Sequence, residues 1–459
     1  MPAGRRCQIE SNFAVKYVLG HYARALPPAT EKTLTQPPLP AILVLFPNEW
    51  DRAELDSPPF STRYRFFYEG FDLFKFPENA RLMWLDARRF IRRMQKKYRD
   101  AGLSAVVSSE EQFGAMFAAV LARKMGLAGT NPAAVLTAQH KYYARRLIAD
   151  IAPEASVKFE VFDYREPDPA HITLPFPLFV KPVKATYSIL ARKVHDFAEL
   201  KQHLTFKPFE KHILERLILP ADQLNQDYMG FAIDGHHIVA EEIMEGVQVT
   251  VEGCVHEGKM SIFGVVDSVM FPGTSAFERF EYPSRLSEEV QARMHALAEK
   301  LIAGFGFDHG IFNAEFMYNP ATGAIKVIEI NPRIAYQFAD LYRKVDGFST
   351  YECLIALARG QTPALKHRQG RYKHAASFVL RSFEHEPLKL APSLARVAQI
   401  EQLFEDSRIM VYIKRGASLA REFKWLGSYR YCLINLGGHS HDDLESRYLA
   451  ARRELAFQF

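Results

Sequence analysis

The sequence predicts an α/β region followed by an α+β region, about three domains in a chain of 459 residues at roughly 150 residues each. Three observations carry the prediction. Ala41–Phe46 (AILVLF) is an unbroken apolar run stopped by Pro47, which suits a strand buried on both faces. Short strand-like runs then alternate with helical stretches as far as Met125, the pattern of a parallel sheet with helices packed on it. From His237 onward the strands instead follow one another. His237–Met244 and Val247–His256 lead into a turn at His256-Glu257-Gly258 and on into Lys259–Val269.

Composition narrows the class. Hydrophobic residues make up 48% and charged residues 24%, which excludes a disordered, collagenous or coiled-coil chain. The net charge of +5 is small and diffuse and argues against a nucleic-acid partner. Cys7, Cys254, Cys353 and Cys432 stand at no metal-binding spacing and are too few for a disulfide scaffold, so a reducing compartment is expected. The N-terminal segment MPAGRRCQIESNFAVKYVLG has no apolar stretch long enough for a signal peptide. No run approaches the ~18 apolar residues of a membrane helix. A cytoplasmic protein with no membrane partner is expected.

The elements follow in order. Residues 1–26 read as an amphipathic helix and 27–40 (PPATEKTLTQPPLP) as a linker, together an N-terminal extension. After Ala41–Phe46, Arg81–Leu85 and Leu103–Val107 are strand candidates, with helices over Arg88–Arg99 and Glu111–Met125. Arg88, Arg89, Arg92, Arg93, Lys96 and Lys97 share one face of the first helix, opposite Phe90, Ile91, Met94 and Tyr98, as in a helix with one wet and one buried side. Asn131-Pro132 supplies an N-cap and a proline at the first helical position, for a helix running through Lys141 to about Ile151. Strands follow at Val157–Val161, Pro177–Lys181 and Ile189–Val194. Ser287 caps a helix with Glu288 and Glu289 in its first turn and Val290, Met294, Leu297 and Leu301 on one face, ended by Gly304 and Gly306. His439 and His441 have no further ligand nearby and read as a turn before a last helix, Asp442–Leu455.

The chemistry is concentrated in one hairpin. Ile311–Tyr318 and Ala324–Asn331 are strands around the turn Asn319-Pro320-Ala321-Thr322-Gly323. Strands are poor in Glu, yet each of these carries one near its middle, Glu315 and Glu329. If Tyr318 faces Lys326, Glu315 faces Glu329, and Asn331 projects from the same face two residues on. Opposed carboxylates repel unless a cation lies between them or one holds a proton. Two carboxylates and an amide oxygen suit a hard divalent cation that keeps positions for phosphate and water, the alternative on the hairpin alone being one Glu that faces solvent and another that pairs with a lysine or Arg333.

The surrounding residues carry a resemblance. Ile328-Glu329-Ile330-Asn331-Pro332-Arg333 resembles the E-x-N-x-R strand end of the ATP-grasp superfamily. Asn313-Ala314-Glu315-Phe316 is similar to its preceding metal strand, although Asn313 often is His there. Gly129-Thr130-Asn131-Pro132 and then Lys141 resemble the opening helix with a first ATP-binding lysine, with His140 where Asp is usual. Phe176-Pro177-Leu178-Phe179-Val180-Lys181-Pro182 is similar to the strand of the second lysine. Ser188 matches a serine of the phosphate-covering loop, which here lacks its usual glycines. Ala240-Glu241-Glu242-Ile243-Met244-Glu245-Gly246 resembles the hinge strand that receives adenine, with Glu215-Arg216-Leu217 as a competing segment. Gln248 stands in place of a ribose-binding carboxylate.

The resemblance covers about residues 41–459. It implies an ATP-grasp fold with a Rossmann-like pre-ATP-grasp domain at 41–130. The ATP-grasp domain would span 131–365, with a mobile lid at about 155–236, and a C-terminal α+β cap would span 366–459, behind an extension at 1–40. It implies that ATP is held by Lys141, Lys181, Ser188, Glu241, Glu242, Ile243, Met244 and Gln248. Mg²⁺, or Mn²⁺ in its place, would be held by Glu315, Glu329 and Asn331, with Arg333 as the catalytic residue at an acyl phosphate. Biotin carboxylases carry a catalytic Glu where Gln337 stands, and an amide cannot accept a proton, which argues against bicarbonate chemistry. Tyr336 and Gln337, with Phe277–Tyr282, are then candidates for the substrate pocket. The implied function is an ATP-dependent carboxylate–amine ligase acting on small molecules, with a homodimer left open. A non-catalytic ATP-binding module and an ATP-grasp kinase are the alternatives.

Overall fold

The computed structural model describes residues 38–459, except residues 166, 169, 170, 187, 188 and 415 and the side chains at 417, 418, 421, 424 and 425. The expected helix and linker within residues 1–37, with Cys7, and the predicted site residue Ser188 lie outside the described residues.

Three sheets are present among the described residues. The first is parallel, with β1 (Ala41–Leu45) between β2 (Arg65–Glu69) and β3 (Leu103–Val107). Every residue of β1 is buried, as its unbroken apolar run demands. Leu43 and Leu45 face Phe90, Met94, Phe117 and Leu121 of the helices Ala87–Tyr98 and Gly114–Lys124. Ile42 and Val44 face the other way, toward Leu341, Tyr342 and Ile355 of the helices Tyr336–Val345 and Thr350–Ala358. The chain that follows Arg333 is thereby packed against the N-terminal sheet. Arg81–Leu85 is a correction: it lies mostly in a 3₁₀-helix, Glu78–Trp84, with Leu82 its buried residue and Trp84 exposed. The strand beside β1 is Arg65–Glu69 (RFFYE), whose charged ends and half-exposed edge position disguise its aromatic middle.

The second sheet is antiparallel, in the order β4-β7-β5-β6, from β4 (Phe159–Asp163), β5 (Leu178–Pro182), β6 (Arg192–Val194) and β7 (His237–Glu242). Alternation sorts its two faces. Leu178, Val180, Ile238 and Ala240 pack on Leu200, Leu204 and Leu214 of the helices Phe197–His203 and Pro208–Tyr228. Lys181 and Glu241 point from the other face.

The third sheet runs β12-β11-β8-β9-β10-β13-β15-β14. Its strands are β8 (Val247–His256), β9 (Lys259–Met270), β10 (Phe277–Tyr282), β11 (Gly310–Tyr318), β12 (Ile325–Asn331), β13 (His374–Ser382), β14 (Arg408–Val411) and β15 (Tyr429–Gly438). Ala144, Ile148, Met294, Ala298 and Leu301, from the helices Lys141–Ile151 and Glu288–Gly304, cover Val249, Val251, Phe312, Phe316 and Ile330. The strands β13–β15 continue this sheet through β10.

One predicted helix is two. Pro132–Gln139 ends at His140 (φ −101°, ψ 95°), and a new helix starts at Lys141. Buried His140 bonds the Ile233 carbonyl through Nε2 (3.0 Å), and the Lys141 amide donates to the Val183 carbonyl (2.9 Å). The break gives Lys141 an amide free to bond the second sheet rather than the preceding turn. The strand expected over His237–Met244 likewise stops at Glu242. Residues 243–246 join the second sheet to the third and end at Gly246, whose φ is +136°. A Cβ there would meet the Tyr318 carbonyl oxygen at 2.1 Å, so only glycine lets the link pass the tip of the hairpin. The competing segment Glu215-Arg216-Leu217 lies in the middle of a helix.

Candidate active site

On the β11–β12 hairpin Glu315 and Glu329 are cross-strand partners, and Asn313 faces Asn331. The route to that register differs from the expected one. Tyr318 faces Ile325, not Lys326, and a bulge between Glu315 and Phe316 moves the pairing by one residue. Asn331 Nδ2 lies 3.1 Å from Glu315 Oε1 and 3.4 Å from Glu329 Oε1. Gln248, expected at a ribose, donates to Glu315 Oε2 at 2.8 Å. Burial, and then the charge of Glu329, push the Glu315 carboxyl up to about 8. Burial also acts on Glu329, but Lys141, Lys181 and Arg333 outweigh it and hold that carboxyl below its ordinary range. A pair so disposed holds one proton or one cation.

These residues fit a divalent ion such as Mg²⁺: two oxygen-donor carboxylates converge, and the Asn331 amide can turn its oxygen inward. No group of three or more His, Cys, Asp or Glu occurs at metal-binding distance among the described residues, which leaves the remaining ligands to water and phosphate. Adding Mg²⁺ is expected to displace the shared proton. At pH 7, calorimetry in buffers of different ionisation enthalpy should find release approaching one proton per site, fading above about pH 8 where Glu315 is already ionised. Binding without proton release at pH 7 would contradict this charge assignment.

The two lysines converge on the pair from different elements. Lys141 Nζ lies 3.7 Å from Glu329 Oε2 and donates to the Ala185 carbonyl at 2.6 Å. Lys181 is buried and pairs with Glu241 Oε2 at 3.0 Å. Glu241 is itself gripped by Arg145, whose Nε and Nη2 reach it at 2.6 and 3.0 Å. Burial pushes the Glu241 carboxyl up, but the charges of Arg145 and Lys181 prevail and hold it at about 2. Glu241 thus fixes the lysine, while Glu242 caps the edge of β4 by accepting from the Lys158 amide (3.0 Å). Ile243 and Met244 lie in the link between sheets, half-buried.

Arg333 emerges past the end of β12. Its Nε donates to Glu111 Oε2 (3.1 Å), a carboxylate from the loop after β3. The neighbouring Glu110 caps the helix Gly114–Lys124, accepting from the amides of Gln112, Phe113 and Gly114 at 2.7–2.8 Å. Arg145, Glu111, Lys184 and Glu252 were not among the residues expected here. Arg145 had a legible signal, since it follows Lys141 by one helical turn. Glu252 is buried between the Asn313 amide (3.1 Å) and the Ala335 backbone N–H (2.9 Å), and burial pushes its carboxyl to about 7. Its sign was a Glu inside a β-rich run. Tyr336 and Gln337 open the helix that follows Arg333. The Tyr336 ring lies 5.9 Å from that of Trp50 and packs with Phe277 and Phe280 of β10, whereas Gln337 donates to Ser377 Oγ at 2.7 Å.

Comparison with known proteins bears on the fold. Residues 174–340 match the family model of the ATP-grasp domain. The chain carries an ATP-grasp domain, and its fold is the ATP-grasp fold. It is 15% identical to an L-amino acid ligase from Bacillus licheniformis, with a TM-score of 0.64 over 92% of this chain and 98% of that one. Against an N5-carboxyaminoimidazole synthase from Aspergillus clavatus, solved with ADP and an aminoimidazole ribonucleotide, the TM-score is 0.62 at 13% identity, over 91% and 98% of the two chains. Over 77 residues it is 36% identical to the carbamoyl phosphate synthase large chain of Bifidobacterium adolescentis, which is 17% of this chain and 7% of that protein's length. Among the described residues no helix is long and apolar enough to cross a membrane.

Proposed function

We propose that the protein is an ATP-dependent carboxylate–amine ligase. The observation that carries this reading is the Glu315–Glu329 pair with Asn331, flanked by Lys141 and Lys181 on one side and Arg333 beyond it. A carboxylate is a poor electrophile, so it must first be activated. Its oxygen attacks the γ-phosphorus of ATP, the bond to the β-phosphate oxygen breaks, and ADP leaves an acyl phosphate behind. The amine nitrogen then attacks the acyl carbon, loses a proton, and expels phosphate. Such chemistry asks the protein mainly for positioning and charge neutralisation.

In this reading Lys141 and Lys181 hold the α- and β-phosphates, and the glutamate pair with Asn331 holds a Mg²⁺ that neutralises phosphate charge. Arg333, a fork of fixed positive charge, meets the acyl phosphate and the oxyanion after amine attack. The hinge at residues 241–244 lies beside the adenine, and Tyr336, Gln337 and β10 line the substrate pocket. The resemblance to an L-amino acid ligase favours an amino acid as one substrate. Residence in the cytoplasm belongs to the same reading, in keeping with the three free, buried cysteines among the described residues.

The test is a phosphate-release screen over pairs of small carboxylic acids and amines with Mg²⁺ and ATP. Release that needs both partners, with an amide product, is expected. A phosphorylated product without free phosphate would make the protein a kinase, and ATP binding without turnover on any pair would make it a nucleotide-binding module.

A further inference from the structure

A buried ammonium group needs a counter-charge, because removal from water penalises the ion by several kcal/mol unless an opposite charge replaces the lost hydration. Lys181, Lys184 and Lys344 are buried among the described residues. Lys181 has Glu241 and Lys344 has Asp340. Lys184 has no such partner: no carboxylate of a described residue lies within 4.0 Å of its Nζ, which reaches only the Gln139 amide oxygen (3.1 Å) and the Glu111 carbonyl (3.4 Å). The carboxylate of Glu111 is itself engaged by Arg333. Burial pushes the Lys184 amine down to about 8, with Glu111, Glu110 and Glu329 opposing that fall and Lys141 adding to it. It therefore stays protonated near neutrality without a direct ion pair to any described residue.

Its position says which anion would match it. Lys184 opens the segment that covers the phosphates in the proposed function, just past Lys181 on β5. That segment is stitched to its surroundings just past the lysine. Lys141 Nζ bonds the Ala185 carbonyl, and Thr186 Oγ1 bonds Gln112 Oε1 at 3.1 Å. Lys181 points toward Arg145 and Glu241, on the hinge side. Lys184 instead meets the Glu111 loop, the same loop that holds Arg333, on the side where phosphoryl transfer would occur. The sequence from Lys181 to Val194 contains no glycine to turn backbone N–H groups onto a phosphate.

We propose that Lys184 is the counter-ion of the γ-phosphoryl group of the bound nucleoside triphosphate, a side-chain charge standing in for the backbone donors of a glycine loop. The inference rests on the ligase reading only in requiring that ATP be bound. Once ATP is in place, the ammonium lies against the phosphoryl oxygens, while Gln139 and the Glu111 carbonyl hold its remaining protons.

Direct binding of ATP and of ADP, each with Mg²⁺, to the full-length chain by titration calorimetry tests this, alongside melting temperature without nucleotide. Lys184→Met is expected to bind ATP at least tenfold more weakly and ADP within about threefold of wild type, and to melt no lower than wild type, because a buried charge with no direct ion pair has been removed. Lys184→Gln, which keeps a polar contact to Gln139, should show the same ATP-selective loss and serves if the methionine variant does not fold. Equal affinity for ATP in wild type and variant overturns the proposal, as does an equal loss for ATP and ADP. Failure of both variants to fold also overturns it, since Lys184 would then be structural. A wild-type chain that binds neither nucleotide overturns the ligase reading itself.

Discussion

Arg333→Ala is expected to lower kcat for amide formation by about 10²–10³-fold while leaving the affinity for ATP within a few-fold of wild type. The split follows from where the arginine sits. Lys141, Lys181 and the hinge are gathered around β5, β7 and the helix Lys141–Ile151, whereas Arg333 lies beyond the metal-type pair, with only 14% of its side chain exposed and its guanidinium on Glu111. In the proposed function a group in that place would meet charge that develops on the transferred phosphoryl and on the acyl oxygen, not the charge already present on ATP. Arg333→Lys should recover only part of the rate, because an ammonium cannot reproduce two parallel N–H donors. Removing the arginine also strips Glu111 of its ion pair, so the melting temperature must be recorded beside the rate. A folded alanine variant with kcat within threefold of wild type would remove Arg333 from the mechanism.

The glutamate pair of the candidate site was legible in the sequence where several details around it were not, for a physical reason. Glu in a strand is costly, so Glu315 and Glu329 stood out, and two-residue alternation then fixed which face they share with Asn331. The bulge that sets their final register leaves no composition signal, and the correct partnership was reached through one wrong pair, Tyr318 with Lys326. The helix break at His140 was equally hidden. Nothing in Gln139-His140-Lys141 breaks a helix, and the interruption comes from tertiary bonds to Ile233 and Val183 that neighbouring residues cannot announce. The same holds for Glu111 and Lys184. Each looks like an ordinary surface charge until the loop after β3 and the end of β5 are brought together. The length and antiparallel course of β8 and β9 were legible because their β-rich runs are long and the turn between them is short.

Glu241 is a strand residue whose structural bonds the sequence does not announce, and it yields the largest stability effect expected of a single substitution here. It stands in β7, and its carboxylate is buried between Arg145 and Lys181. Arg145 in turn donates to the carbonyls of Val327 and Ile328 on β12, so one guanidinium ties the second sheet to the β11–β12 hairpin. Arg145→Met should therefore cost about 3–5 kcal/mol in urea denaturation, the range for breaking a buried pair and leaving the partner charge behind. Acid sensitivity gives the sign. The native Glu241 carboxyl is held at about 2 against an ordinary 4.5, so its stabilisation is present above about pH 4.5 and is lost as pH falls toward 2. Without Arg145 that carboxyl rises, and the loss should begin at a higher pH than in wild type. Arg145→Met with Glu241→Gln removes the stranded charge along with the pair and should regain part of the stability. A single variant within about 1 kcal/mol of wild type, with an unmoved acid limb, would mean that the sheets are joined by apolar packing alone and that Lys181 is oriented by something other than Glu241.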